Sequence, residues 1–131
     1  MRALASGLAR LTLFATGAAL AAGCATERLY GGPARPAQEV AIVDGDPRIN
    51  AGLPLAAVIR EVDGRVLALA TSRVALEPGR HVLLVDCIMA ETRSTTRHEL
   101  KVEVEAGSRY RLAADSAPGN RRCGAVRLEA R

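Results

Sequence analysis

The residues whose types could do chemistry are two histidines, three cysteines and a few clustered arginines. His81 and Cys87 stand an even number of positions apart, which puts them on one face of a strand. With His98 they would begin a zinc set, but no fourth ligand has a recognisable spacing. His98-Glu99 opens like the helical motif of zinc proteases. Val102, however, stands where the second histidine is needed, and the segment alternates like a strand. Asp44-Gly45-Asp46 followed by Asn50 hints at a calcium loop. Arg48 occupies a position that wants an oxygen ligand, so a turn between strands is the expected reading. The sequence holds no Gly-x-Ser-x-Gly elbow, phosphate loop or dinucleotide fingerprint. Ser72, Ser94, Ser108 and Ser116 have no basic partner that the sequence identifies. The chain is therefore read as non-enzymatic, with no metal and no cofactor. The competing class is a small periplasmic enzyme or a metal or ligand carrier, which a deep pocket with converging polar groups would favour.

The remaining chemistry belongs to arginine. Glu91-Thr92-Arg93-Ser94-Thr95-Thr96-Arg97 is the most polar segment and is expected to tip a hairpin. Loops on a rigid scaffold commonly carry binding. Arg93 and Arg97 could grip a carboxylate or a phosphate there. Arg121 and Arg122, beside Cys123, form a second basic spot that could share one surface with them. These four arginines are the candidate binding residues.

The elements that position them follow from composition and pattern. A chain of 131 residues allows one domain. Its only aromatics are Phe14, Tyr30 and Tyr110, so the core must be aliphatic and stacking platforms for bases or sugars are not expected. The formal charge is +4, and Arg2 and Arg10 account for two of those charges. The rest is spread and mixed in sign, which excludes the clustered basic stripe of a nucleic-acid binder.

Residues 1–23 have the three parts of an export signal. Arg2 and Arg10 make a positive start, Leu11 to Ala22 carries no charge, and small residues lead into Gly23-Cys24. The apolar run is well short of the ~20 residues that a permanent span needs. Leu20-Ala21-Ala22-Gly23-Cys24 resembles the lipobox of bacterial lipoproteins, although that family prefers Leu where this chain has Ala21. The resemblance implies a diacylglyceryl group on Cys24, cleavage of the signal helix before it, and acylation of the new amine. Two or more acyl chains anchor stably where one does not. Ala25 is no inner-membrane retention signal in that family, so the resemblance implies the periplasmic face of the outer membrane. Residues 24–37 are then the lipidated cysteine and a flexible tether, broken by Gly31-Gly32-Pro33 and Pro36.

From residue 38 to 131 the apolar pattern has period two. Leu100, Val102 and Val104 share one face and charges take the other; after a turn at Ala106-Gly107, Tyr110 and Leu112 alternate again. That pattern predicts an antiparallel hairpin. Further strands are expected at residues 39–43, 56–62, 65–70, 81–89 and 124–129. Residues 81–89 are apolar on both faces, as a central strand would be. Asp63-Gly64 and Glu77-Pro78-Gly79 supply turns. Six or seven short strands spaced by turns predict an all-β, antiparallel β-sandwich.

The runs Val62-Asp63-Gly64, Val74 to Val82 and Val104 to Leu112 are similar to the PEGA-type sandwich modules of bacterial envelopes, without the tetrapeptide that names them. Tyr30-Gly31-Gly32-Pro33, Arg35-Pro36 and Glu39-Val40-Ala41 resemble small proteobacterial lipoproteins of unknown function. The resemblance implies an Ig-like or PEGA-like fold and a non-enzymatic envelope role. With Cys24 assigned to lipid, Cys87 and Cys123 remain, an even number for an oxidising compartment, and are expected to form a disulfide. The expected partners are the membrane, through the lipid anchor, and an envelope protein or a cell-wall or lipopolysaccharide component; no nucleic acid is expected.

Overall fold

The computed structural model describes residues 25–50, 53–69, 71–119 and 121–131. Among them are ten strands: β1 Ala25–Arg28, β2 Ala41–Asp44, β3 Asp46–Asn50, β4 Leu53–Val62, β5 Arg65–Val66, β6 Thr71–Leu76, β7 Gly79–Met89, β8 Ser94–Val104, β9 Arg109–Ser116 and β10 Cys123–Ala130. A short 3-10 turn at Ala37–Glu39 precedes β2. The expected signal helix and Cys24 lie outside the described residues.

The strands form two sheets. The first runs β1-β6-β2-β9-β10; the second runs β3-β4-β7-β8, with β5 paired to β4. Their facing sides bury one common aliphatic core. Ala41, Val43, Val74, Leu76, Leu112 and Ala114 come from the first sheet, and Leu55, Ile59, Leu83, Val85, Met89 and Val104 from the second. Period-two alternation makes this work, because each strand can give its apolar side to the core and its polar side to water. β7 lies between β4 and β8, as its two apolar faces predict. Asp63 and Gly64 both have positive φ, +51° and +81°, and close the β4–β5 hairpin.

Several expectations need correction. The sheets are not purely antiparallel: β1 pairs with β6, and β2 with β9, in parallel. The residue 25–37 stretch, expected to be a tether, begins as β1, hydrogen-bonded along β6. Leu29 continues it, donating its amide to the Ala75 carbonyl at 3.0 Å and packing against the core. The predicted hairpin of residues 99–112 is an arch instead. β8 pairs with β7 in one sheet, whereas β9 crosses the core to pair with β2 and β10.

The reason is visible at the turn. The Gly107 amide donates to the Val40 carbonyl at 2.9 Å, and the Ile42 amide to the Ser108 carbonyl at 3.1 Å, so β2 captures the chain as it leaves β8. The Tyr110 hydroxyl then accepts from the Glu105 amide at 3.0 Å and holds the corner. Leu100 and Leu112 do face the same core, but from opposite walls.

Gly45 is the only residue between β2 and β3, where the chain changes sheets. Its amide donates to the Ser72 carbonyl at 2.9 Å. A Cβ there would stand 2.9 Å from the Ala57 carbonyl oxygen, which is backbone of a paired strand and has no room to give. Gly45→Ala is therefore expected to cost about 1–3 kcal/mol, as overpacking does. Thermal unfolding would show a melting temperature several degrees lower with the same folded spectrum. An unchanged melting temperature would mean that the crossing is looser than described.

Candidate functional site

The four candidate arginines divide into two places. Arg97 points across β7 to Asp86, a carboxylate buried on the outer face of the second sheet. Its Nε and Nη2 donate to Asp86 at 2.8 and 3.2 Å, and Arg60 Nε donates from β4 at 3.0 Å. Arg97 is thus a structural partner rather than a free ligand grip, which corrects its sequence assignment. Hydrogen bonding by Arg97 outweighs burial and, with Arg60, holds Asp86 below the usual carboxylate range. The run Val82 to Met89, otherwise apolar, accepts this charge only because it is doubly paired.

The other three arginines do converge. β7 and β8 are joined by a tight turn at residues 90–93 in which Arg93 takes a positive φ of +52°. The Thr92 hydroxyl donates to the Arg121 carbonyl at 2.8 Å, and the Ser94 hydroxyl to the same oxygen at 3.2 Å. These bonds tie the polar tip to the basic pair, so Arg93, Arg121 and Arg122 share one exposed end of the molecule. Behind them opens a cleft of about 400 Å³ lined by Thr96, His98, Ala117, Pro118, Arg122, Cys123 and Gly124.

His98 is the informative residue in that cleft. Its Nε2 is buried and has no hydrogen-bond partner. A buried polar atom without a partner calls for an explanation, and a ligand is one. Arg122 lines the cleft with His98, and a guanidinium there suits an oxyanion, either a carboxylate or a phosphate. The cleft rests on a firm base. Cys123 of β10 is bonded to Cys87 of β7, with a Cα–Cα distance of 6.1 Å, so the expected disulfide joins the two sheets.

The sequence signals that suggested metals lead elsewhere. Cys87 is consumed by the disulfide. His81 sits in a second cleft, of about 500 Å³, between the Asp63 carboxylate at 2.6 Å and the Glu77 carbonyl at 2.6 Å. The Asp63 carboxylate also accepts the Val82 amide at 2.8 Å. Burial raises its pKa, but His81 and that amide outweigh the effect and the net shift is downward. Asp44, the first residue of the supposed calcium loop, is buried and ringed by Arg73, Arg109 and Arg131. Burial again raises its pKa, and Arg73 and Arg109 lower it further than burial lifts it. Among the described residues no three His, Cys, Asp or Glu side chains are grouped to hold a metal ion.

Sequence reasoning passed over Asp86 and took Asp44 only as part of a loop. A lone acid inside an apolar strand was the available signal, since such a charge requires cations from neighbouring strands. Comparison with protein-family models, with curated proteins and with solved structures gives no match.

Asp44, Asp63 and Asp86 all have folded pKa values below the 3.8 of the free side chain. The unfolded chain therefore takes up protons first on acidification. The stabilisation is complete above about pH 4 and is lost as pH falls through the lower folded values. Denaturant midpoints should be level from neutral pH down to about 4 and should fall below it. Asp86→Asn should cost about 1.5–3 kcal/mol at neutral pH, the range for hydrogen bonds to a charged group, and should make the acid limb shallower. An acid limb identical to that of the parent would show that the Arg60–Asp86–Arg97 group contributes nothing.

Proposed function

We propose that this chain is a lipid-anchored envelope protein without catalytic activity, a β-sandwich that binds another envelope component through the basic end around Arg93, Arg121 and Arg122. The observation that carries this reading is the division of the cysteines. Cys87 and Cys123 pair, as suits an oxidising compartment, and Cys24 stands at the end of an uncharged apolar run. Lipid on that thiol would set the body at a membrane surface, and the outer membrane's periplasmic face is the proposed address.

The sandwich is read as Ig-like or PEGA-like. Support comes from the disulfide between the sheets and from the Tyr110 hydroxyl, which holds a corner just before its own strand, as a tyrosine corner does. The buried, unpartnered His98 nitrogen beside Arg122 favours an oxyanion-bearing partner. A carboxylate of another protein or of wall peptide, or a phosphate of lipopolysaccharide, meets that chemistry.

Growth with labelled palmitate tests the anchor. The intact protein is expected in the membrane fraction with label; Cys24→Ala should lose the label and move to the soluble fraction. Label retained by Cys24→Ala would overturn the anchor. Photo-crosslinking from position 92 tests the binding end separately. One dominant envelope adduct, lost on combined Arg93→Ala, Arg121→Ala and Arg122→Ala substitution, is the expected result. An adduct indifferent to those arginines would remove them from the site.

A further inference from the structure

β8 is the outer strand of its sheet, and among the described residues only β7 pairs with it. Its register against β7 is unbroken from Ser94↔Met89 to Val104↔Gly79. The other outer strands are shorter or irregular. β1 has four residues and a register shift, β3 has five, and β10 carries a shift near Cys123. The free edge of β8 is therefore a straight row of backbone donors and acceptors, the template that edge strands present to another chain.

Charges on an outer strand usually repel such pairing. Here their order does the reverse. The exposed side of β8 reads Arg97, Glu99, Lys101, Glu103, and the core side reads Thr96, His98, Leu100, Val102, Val104. A second copy pairing antiparallel about a two-fold axis at Leu100 places Glu99 opposite Lys101 and Arg97 opposite Glu103, twice over. On the core side it places Leu100 opposite Leu100 and His98 opposite Val102.

Other registers that keep both core faces on one side lose this match. An axis at Glu99 sets Glu99 against itself and Arg97 against Lys101. An axis at Lys101 sets Lys101 against itself and Glu99 against Glu103. An axis at His98 keeps only Arg97 opposite Glu99 and leaves Lys101 facing Thr95; one at Val102 keeps only Lys101 opposite Glu103 and sets Glu99 against Glu105. Half-step registers turn the core side of one copy toward the solvent side of the other.

A second observation agrees. Across β7, Glu99 and Lys101 face Leu84 and Val82, and neither forms an ion pair among the described residues. Val82 is itself an exposed apolar side chain at 38%. Arg97 already serves Asp86, but its planar fork has further donors for Glu103. Leu100 and Val102 are only partly buried within one copy, and self-pairing would cover them.

We propose that this chain forms a two-fold dimer by antiparallel pairing of β8 with β8 about Leu100, so that one sheet runs through both copies. The contact is isologous and self-limiting, because it uses up the edge that makes it. It is independent of the lipid anchor, and it shares His98 with the cleft at the basic end.

The test uses charge reversal on the full chain in detergent, read by sedimentation velocity. Glu99→Lys faces Lys101 with a like charge, and Lys101→Glu faces Glu99 with one, so each single variant should weaken self-association at least about tenfold. An equimolar mixture of the two variants should recover the dimer, because lysines at 99 and 101 of one copy meet glutamates at 99 and 101 of the other. The double variant Glu99→Lys, Lys101→Glu should also recover it. Both positions are exposed, and unchanged melting of each variant confirms that the fold is kept. A parent that sediments as a monomer at all concentrations overturns the proposal. So does a dimer that the single variants leave intact. Single variants that dissociate without rescue by mixing overturn the register.

Discussion

The bond between Cys87 and Cys123 stands where the two sheets must be held face to face, and everything else in the body depends on that apposition. Neither sheet can bury its apolar side alone. The core that they share contains no Trp or Phe among the described residues, so it is filled by small aliphatic side chains with modest area each. A covalent link through a long stretch of chain adds about 3–4 kcal/mol on the chain-entropy account, which is large beside the net stability of a small domain. With the sheets apposed, the arch at Gly107 and the crossing at Gly45 have fixed ends to span.

The outer faces are held by a different device. Asp44 and Asp86 each interrupt an apolar run of their strand, and each draws arginines from the strands beside it. A buried carboxylate left unpaired would be costly. The two groups therefore act as register marks: β2 can lie between β6 and β9, and β7 between β4 and β8, only where the cations meet the acid. Arg131 reaches Asp44 from beyond β10 and extends the first group across the sheet.

Much of this was legible in sequence. Strands β4, β7, β8 and β10 and the Asp63-Gly64 turn follow from local rules, and the Cys87–Cys123 pairing follows from the even count left once Cys24 is set aside. What alternation cannot state is which wall of the core a strand belongs to. Leu100 and Leu112 carry the same signal in either sheet, and the choice rests on β2, far back in the chain. β6 was missed because Thr71-Ser72-Arg73 interrupts its apolar side, and Arg73 is explained only by Asp44. β1 was missed because Ala25 to Arg28 has no hydrophobic pattern and is held by backbone bonds to β6. At the site, the arginine cluster was legible as charge. The separation of Arg97 from Arg93, and the burial of the His98 Nε2, depend on strand register.

The arches have a consequence in time. β6 and β7 are consecutive in the chain yet lie in opposite sheets, as do β8 and β9, and β1 waits for a partner in β6. The pairings β3–β4, β4–β5, β7–β8 and β9–β10 join consecutive strands, but β1–β6, β2–β6, β2–β9 and β4–β7 must wait for distant segments to arrive. Loop closure must be met before those contacts repay it, so this topology belongs with the slow-folding β architectures, on a scale of milliseconds to seconds. During that interval the long edge of β8 and the unpaired thiols of Cys87 and Cys123 are open to other chains. A body that is rigid once closed is thus most exposed to wrong partners in the moments before its two walls meet.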